Sequence, residues 1–188
     1  METVSIIIPC RNEEKYISKC LDSIISTDYP KEFLEIIVVD GMSTDDTAAI
    51  VESYISKYDF IRLLENQKKI VPVAMNKGIE ASKGDTIIRL DAHAFYPKDY
   101  ITTLVEWKTK LNAANIGTVI ETSVMNKNAK SNAIQNVLSH KLGVGNGLFR
   151  IGIKNPVEVD TVPFGCFDKK MLEEAGGYNE QLIRNQDI

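Results

Sequence analysis

The chain has 188 residues, of which 44% are hydrophobic and 26% are charged, and this balance excludes an intrinsically disordered protein. The formal net charge of −4 disfavours a nucleic-acid-binding protein, because such proteins need basic surfaces to neutralise phosphates. No run approaches the ~18 apolar residues of a membrane-spanning helix, and the first apolar run is too short for a signal peptide. The three cysteines, Cys10, Cys20 and Cys166, form no CxxC motif and indicate buried free thiols in a reducing, cytoplasmic compartment.

Short β-branched runs alternate with helical patterns through the first two-thirds of the chain. Apolar runs predict four buried strands, at Val4 to Pro9, Leu34 to Asp40, Phe60 to Glu65 and Asp85 to Asp91. Apolar residues at helical spacing predict four helices, over Ile17 to Ile25, Val51 to Tyr58, Val73 to Ser82 and Pro97 to about Leu111. Strands that are apolar throughout and alternate with helices indicate an α/β fold with a parallel, doubly wound sheet.

Polar residues are expected to cap these helices, and apolar ones to face the sheet. Asn12 is the expected cap of the first helix, and Ser43 or Thr44 that of the second. In the fourth helix the inward-facing residues are expected to be Ile101, Leu104, Val105 and Leu111.

Beyond about Ile116 the alternation weakens. Strands are expected at Ile116 to Val124 and at Val157 to Gly165, on either side of a polar helix and a glycine-rich loop. The helix is predicted over Asn128 to His140 and the loop over Gly143 to Gly152. A last short helix is predicted over Asp168 to Ala175, ended by Gly176 and Gly177.

Three polar clusters follow strands of the predicted sheet. Ligands of parallel α/β sheets bind beyond the carboxyl ends of the strands, so these clusters are expected to share one rim. They are Pro9 to Glu13, Asp40 to Ser43 and Asp91 to His93.

Asp91 and His93 are the candidate metal ligands. In extended backbone, positions i and i+2 point to the same side, so both side chains can reach one cation. A carboxylate and an imidazole suit Mn²⁺ or Mg²⁺ bridged to phosphate oxygens. The alternative is a polar strand end in which His93 is simply hydrogen-bonded.

Asp40 and Ser43 admit two interpretations. An acid at the end of the second strand of such a sheet often binds a ribose or a base edge, but the same turn can cap the following helix. The absence of G-x-G-x-x-G and of G-x-x-x-x-G-K-[ST] disfavours a dinucleotide site and a P-loop NTPase. Arg11, Lys68, Lys69 and Arg89 are candidates to offset phosphate charge, and Lys69 is favoured because it precedes a helix facing the rim.

Four segments, taken together, resemble family 2 glycosyltransferases of the GT-A fold: SIIIPCRNEEKYISKCLDSI, EIIVVDGMSTDDT, NKGIEASKGDTIIRLDAH and VDTVPFGCFDKKMLEEAGGYNEQLIRNQD. They occur in the family's order and span almost the whole chain. IVPVAMNKGI, RLDAH, GVGNGLFR and RNQD are similar to the glucosyltransferases of succinoglycan-type exopolysaccharide assembly. The resemblance implies one GT-A catalytic domain over 1–188, with a nucleotide-binding part in 1–112 and an acceptor-side part in 113–188.

The resemblance also implies residue roles. Pro9, Arg11 and Glu13 would line the nucleotide, and Asp40 would read the uracil edge. Asp91 begins the family's D-x-D motif, in which His93 replaces the last Asp. The full substrate-binding set is Pro9, Arg11, Glu13, Asp40, Ser43, Lys69, Asn76 and Asp91.

Asp187 matches the family's catalytic base, and Gln186 takes the position of the usual preceding Glu. A single carboxylate opposite the leaving group implies direct displacement with inversion at the sugar carbon. In the family this motif leads into a helix, so the chain is expected to be truncated within the active site.

The expected function is a metal-dependent, inverting glycosyltransferase that uses a nucleotide sugar, UDP-glucose, in exopolysaccharide or cell-surface glycan synthesis. The expected acceptor is a lipid-linked saccharide at the inner face of the plasma membrane, reached by peripheral association. Two alternatives stay open: a sugar-phosphate nucleotidyltransferase, and a nucleotide-sugar-binding fragment without turnover.

Overall fold

A computed structural model describes residues 1–124, 128–145 and 147–182. Its described residues form a six-stranded sheet with the order β3-β2-β1-β4-β6-β5. The strands are β1 Val4–Cys10, β2 Leu34–Asp40, β3 Ile61–Glu65, β4 Thr86–Arg89, β5 Asn115–Ile116 and β6 Cys166–Asp168. β1 pairs in parallel with β2 and β4, and β2 with β3, whereas β6 pairs antiparallel with both β4 and β5. The predicted, mostly parallel α/β sheet is therefore confirmed.

The helices follow the strands as the alternating pattern predicts. They are α1 Ile17–Ile25, α2 Thr47–Ile55, α3 Val71–Ala81, α4 Tyr100–Leu111, α5 Ala129–Leu138, α6 Lys141–Val144, α7 Leu148–Ile151 and α8 Lys169–Glu174. A single 3-10 turn, Lys31–Phe33, precedes β2. The φ angles of Gly176 and Gly177 are positive, a conformation that glycine adopts without steric cost, and this ends α8 as predicted.

Both faces of the sheet are buried. Successive residues of a strand point to opposite faces, so Ile6 and Ile8 pack with α1 and α4 on one side while Ile7 packs with α3 on the other. Burial on both sides explains why most positions of β1 and β2 are apolar, with Ser5 and Glu35 as paired polar exceptions. Cys10, Cys20 and Cys166 are buried and free, as expected.

Glu35 of β2 contacts residues of β1, of β3 and of the loop that precedes β4. Its carboxylate accepts hydrogen bonds from the Ser5 hydroxyl and the Lys83 backbone N–H, and it lies 2.8 Å from the Arg62 guanidinium. Burial raises the pKa of Glu35, but these hydrogen bonds and the Arg62 charge lower it more, so its net pKa lies below the ordinary value of 4.5.

Two predicted caps are wrong. The residue preceding α1 is Tyr16 and makes no side-chain cap, while the Asn12 side chain accepts a hydrogen bond from the Thr44 N–H. At the start of α2, Asp45 accepts the Thr47 N–H, a bond that the sequence predicted for Ser43 or Thr44. The cause is tertiary, because the β1–α1 and β2–α2 loops lie side by side and bind each other.

The inward face of α4 differs at its end from the prediction. Ile101, Leu104 and Val105 are buried, but Leu111 is 45% exposed. The helix ends at the next residue with a left-handed backbone, so Leu111 belongs to a last turn that extends beyond the sheet. Lys108 is buried instead, and its ammonium pairs with the Glu2 carboxylate at 3.0 Å.

The stretch between β5 and β6 departs most from the prediction. The expected strands Ile116 to Val124 and Val157 to Gly165 do not form, since β5 ends at Ile116 and β6 begins only at Cys166. The glycine-rich stretch Gly143 to Gly152 includes α7 and the end of α6 in its described part. The polar helix is confirmed as α5, and the Asn128 side chain caps it through the Ser131 N–H.

The chain divides into two compact units. The sheet unit comprises 1–116 and, in the described part of the chain, 164–182; the insert unit comprises the described residues of 117–163. Every described residue of the insert unit is exposed or half-buried. No helix within the described ranges is long and apolar enough to cross a membrane. The functional division at 112/113 stays a prediction.

Candidate active site

A cavity of about 260 Å³ opens beyond the carboxyl ends of β1, β2 and β4. This is the rim that the strand-end rule selects. Seven of the predicted residues line this cavity: Pro9, Arg11, Glu13, Lys69, Arg89, Asp91 and His93. Asp40, Ser43 and Asn76 lie outside its lining, and Asp187 lies outside the described residues.

Glu13, His93 and Asp91 form a connected row at the cavity. His93 Nδ1 lies 3.0 Å from Glu13 Oε1, and His93 Nε2 lies 3.7 Å from Asp91 Oδ2. When Nδ1 donates to Glu13, Nε2 carries the free lone pair and faces the Asp91 carboxylate. Sequence reasoning placed Glu13 on the nucleotide; the structure adds that it orients the imidazole.

The backbone of Asp91 is held from inside the protein. The Asp91 N–H donates to the Tyr96 hydroxyl at 2.8 Å, and the same hydroxyl donates to the Asp91 carbonyl at 3.1 Å. The Cys20 thiol also donates to this carbonyl, at 3.4 Å. Burial raises the pKa of Tyr96 far above its ordinary value and that of Cys20 to about 12, so both groups stay protonated and remain donors.

Arg89 places a buried positive charge beside the Asp91 carboxylate. Its guanidinium Nη2 lies 4.0 Å from Asp91 Oδ1, and its guanidinium carbon lies 5.5 Å from the centre of the Phe164 ring. Its side chain is 8% exposed and contributes to the cavity lining. The Arg89 guanidinium therefore lies beside the carboxylate that is the candidate metal ligand.

Asp40 and Ser43 form a turn at the end of β2. The Ser43 N–H donates to Asp40 Oδ2 at 2.9 Å, and the Ser43 hydroxyl donates to Oδ1. The same hydroxyl accepts the Asn12 N–H at 2.8 Å, which joins this turn to the β1–α1 loop. Asp40 is 5% exposed. The turn forms but does not cap α2, and the role of Asp40 in reading a base stays a prediction.

Asn66 is a cavity residue that sequence reasoning missed. Its N–H donates to the Asp40 carbonyl at 2.7 Å and its side-chain amide to the Ile70 carbonyl at 2.8 Å. Its carbonyl accepts the N–H of Lys69, whose φ of 60° is left-handed. Asn66 directly follows the third strand. The rule that ligands bind beyond the carboxyl ends of parallel strands could therefore have identified it.

Asn76 anchors the segment that follows α8. Its side chain donates to the Tyr178 carbonyl at 2.9 Å and accepts the Tyr178 N–H at 2.8 Å. Glu180 then pairs with Lys68 at 2.9 Å. The substrate-binding role of Asn76 stays a prediction; its observed contacts position the chain that continues toward Asp187.

The residues at the cavity fit a cation that is bound together with a diphosphate. Among residues 1–124, 128–145 and 147–182, no group of three or more His, Cys, Asp or Glu side chains could hold a metal ion alone. One oxygen of Asp91 and one nitrogen of His93 nevertheless face each other, with Glu13 on the far side of the ring. Two protein ligands suit a hard divalent cation that takes its other ligands from phosphate and water.

Comparison with known proteins extends what the fold and cavity show. The fold matches a mannosyltransferase from Pyrobaculum calidifontis, solved in complex with GDP-Man and Mn²⁺, with a TM-score of 0.74 at 21% identity, covering 99% of this chain and 50% of that one. It also matches Staphylococcus aureus TarS in complex with UDP-GlcNAc, with a TM-score of 0.69 at 19% identity, covering 100% of this chain and 51% of that one. These are glycosyltransferases of the GT-A fold.

Residues 5–175 match the profile described as Glycosyl transferase family 2, so the chain belongs to that family. It is 34% identical to a Methanococcus voltae dolichyl N-acetyl-alpha-D-glucosaminyl phosphate 3-beta-D-2,3-diacetamido-2,3-dideoxy-beta-D-glucuronosyltransferase, over 100% of this chain and 60% of that protein. It is 28% identical to the succinoglycan biosynthesis protein ExoA of Rhizobium meliloti, over 97% of this chain and 54% of that protein. The chain thus spans between half and two-thirds of the length of these relatives, and the resemblance seen in the sequence is confirmed.

Proposed function

We propose that this chain is the donor-binding part of a metal-dependent, inverting glycosyltransferase that moves a sugar from a nucleotide sugar to a saccharide acceptor. The observation that carries the proposal is the row Glu13–His93–Asp91 at the strand-end cavity. The complex of the Pyrobaculum calidifontis relative with GDP-Man and Mn²⁺ supports this assignment.

The donor is proposed to be UDP-glucose. The uridine would lie along Pro9 and Arg11, with Asp40 at the uracil edge and Lys69 near the diphosphate. Pro9, Arg11 and Lys69 line one cavity, and Asn66 connects Lys69 to the end of β2 that carries Asp40. UDP-sugar binding by TarS and the similarity to the succinoglycan protein support this choice.

The chemistry needs charge stabilisation on the leaving diphosphate. A divalent cation, Mn²⁺ or Mg²⁺, held by Asp91 and His93 would supply electrostatic stabilisation of that charge. Glu13 keeps Nε2 of His93 turned toward Asp91. The Arg89 guanidinium lies beside the Asp91 carboxylate, and the Tyr96 hydroxyl binds the Asp91 backbone. These side chains prepare the site before the donor enters, so little reorganisation accompanies the reaction.

Asp187 is proposed as the base that removes the proton of the acceptor hydroxyl. It lies outside the described residues, so this role rests on its match to the family motif. A base on the face of the sugar ring opposite the leaving diphosphate gives inversion of configuration at the sugar carbon. The geometric requirement is hydrogen-bond contact between the carboxylate and the acceptor hydroxyl in a substrate complex.

The acceptor is proposed to be a lipid-linked saccharide in exopolysaccharide or cell-surface glycan synthesis, met at the inner face of the membrane by peripheral association. The name of the Methanococcus voltae relative, which acts on a dolichyl-linked sugar phosphate, supports a lipid-linked acceptor. The Rhizobium meliloti relative supports a role in exopolysaccharide synthesis.

A panel of nucleotide sugars tests the donor. Each sugar is added with Mn²⁺, and the shift in melting temperature is measured, because a ligand that binds only the folded state stabilises it. The largest shift is expected for UDP-glucose, and no shift with any nucleotide sugar would refute donor binding.

Product analysis tests the reaction: UDP release supports sugar transfer, whereas pyrophosphate release would identify a nucleotidyltransferase. Binding without transfer, restored by a longer chain, would identify a donor-binding fragment.

A further inference from the structure

The distribution of charge along the chain is strongly uneven. Residues 122–157 contain five of the 22 basic side chains and none of the 26 acidic ones. The rest of the chain therefore carries a net charge of −9, although the total is only −4. The five basic residues are Lys127, Lys130, Lys141, Arg150 and Lys154. A basic stretch of this length in an acidic protein indicates an anionic partner.

The same stretch exposes large apolar side chains. Ile134 is 50% exposed, Val137 is 55% exposed and Leu142 is 94% exposed. Ala133, Ile134, Val137 and Leu138 line one shallow apolar groove of about 260 Å³ on α5. Their spacing of three and four residues places them on one stripe of the helix. Single exposed apolar residues are ordinary, but a contiguous stripe marks an interaction surface.

A side chain outside the stripe attaches α5 to the rest of the insert unit. Gln135 donates from its side-chain amide to the Thr122 carbonyl at 2.6 Å, which attaches the adjacent face of the helix. Arg150 donates to the Thr122 hydroxyl at 3.3 Å, so α7 is attached to the same segment. Ile134 and Val137 are thus left at the surface, in a unit with no buried described residue.

Basic residues precede and follow the stripe in the chain. Lys130 is one helical turn before Ile134 on α5, and Lys141 begins α6, three residues after the end of α5; both lysines are exposed. The positions between them on α5 are uncharged. We call Lys130, Ile134, Val137, Lys141 and Leu142 the basic apolar face.

We propose that the basic apolar face binds the surface of a membrane that contains anionic phospholipids. Aliphatic side chains enter the boundary between headgroups and acyl chains, and lysines at their edge pair with the lipid phosphates. A nucleic acid is disfavoured because the stripe is aliphatic, whereas single strands stack on aromatic rings.

This surface extends the proposed function by naming the part of the chain that reaches the membrane. It does not depend on catalysis, because its test contains neither donor nor acceptor. A failure of vesicle binding would leave donor binding untouched, and a failure of donor binding would leave the vesicle result untouched.

The test is co-sedimentation of the chain with vesicles of phosphatidylcholine alone or of phosphatidylcholine mixed with phosphatidylglycerol. We expect binding to the mixed vesicles, weakened by added salt, and little binding to phosphatidylcholine. Each basic residue near an anionic surface contributes about fivefold to partitioning. Lys130→Glu/Lys141→Glu is therefore expected to lower partitioning by about 25-fold or more. The matched control, Lys19→Glu/Lys98→Glu, changes the same charge at exposed positions of the sheet unit and is expected to bind normally.

A second variant tests the apolar contribution. Ile134→Ser/Val137→Ser keeps every charge and is expected to weaken binding to mixed vesicles, with circular dichroism and the melting temperature confirming that it folds. Equal binding to both kinds of vesicle, no binding to either, or equal loss in the control variant would overturn the proposal. A concentration-dependent dimer that Ile134→Ser/Val137→Ser abolishes, with no vesicle binding, would assign the face to a second copy instead.

Discussion

The contact between Glu13 and His93 allows the orientation of the imidazole to be tested separately from its presence. Glu13→Ala removes the acceptor that lies 3.0 Å from His93 Nδ1, whereas Glu13→Gln keeps an oxygen there. Loss of a residue that orients a metal-binding histidine lowers metal affinity by about 10- to 100-fold. Asp91 keeps its hydrogen bonds to Tyr96, so Glu13→Ala loosens only one of the two metal ligands, His93. The expected loss of Mn²⁺ affinity is therefore about tenfold, the lower end of that range.

The measurement is the affinity for Mn²⁺ in the presence of UDP, followed by the electron paramagnetic resonance signal of free Mn²⁺. Glu14→Ala is the matched control, because it removes the same charge from the neighbouring, exposed position. Glu13→Gln is expected to stay close to the unmodified chain. In a His93→Ala background, Glu13→Ala is expected to have no further effect, because the two residues act as one unit.

Three results would refute this reasoning. The first is an unchanged Mn²⁺ affinity in Glu13→Ala. The second is a Glu13→Gln variant as weak as Glu13→Ala, which would show that the charge of Glu13 matters and its acceptor oxygen does not. The third is full additivity with His93→Ala, which would place the two side chains in separate functions.

Four further outcomes are expected. Asp91→Asn abolishes Mn²⁺-dependent UDP binding in calorimetry, and unchanged Mn²⁺ dependence would remove Asp91 from the metal site. Asp187→Asn retains UDP binding but loses transfer, scored by UDP release with acceptor; retained turnover would exclude it as the base. Tyr96→Phe removes both hydrogen bonds to Asp91, at a cost of about 1–3 kcal/mol, or about 2–12 °C in melting temperature; an unchanged value would contradict that support. The lowered pKa of Glu35 means that its ionised form stabilises the fold above pH 4.5, and this contribution is lost as the pH falls below that value. In urea unfolding, Glu35→Gln is therefore expected to have a lower free energy of unfolding at neutral pH. That free energy is expected to fall less on acidification than in the unmodified chain.

The rim of the candidate site could be predicted because parallel strands carry their carboxyl ends to one edge. Asp91 and His93 follow one strand at a spacing of two, so their proximity is a local property of extended backbone. The partnership of Glu13 with His93 was not predictable in this way, since 80 residues separate them. It arises because β1 and β4 are neighbours in the sheet, a consequence of the strand order.

The errors have a common physical cause. An apolar run becomes a strand only when a neighbouring strand supplies hydrogen-bond partners along its length. Among the described residues, Val157 to Gly165 belongs to no strand pair, and only at its end does the Gly165 carbonyl accept the Arg89 N–H of β4, at 3.1 Å. Cys166–Asp168 pairs with β4 instead, antiparallel, although it is shorter and less regular in sequence. The expected caps failed for a similar reason, because Asn12 and Ser43 bind each other's loops across the sheet edge.

The pattern of residues is enough to predict the core of this protein. Four apolar runs separated by helical patterns can bury both faces only as a mostly parallel sheet covered by helices. The same pattern also determined which strand ends carry the reactive side chains, because that information is local. The folded arrangement is needed to show which of those ends are neighbours. It shows that Glu13 orients His93, and that Tyr96 and Arg89 contact Asp91. Pairings between distant segments depend on strand order, and no local pattern of residues encodes that order.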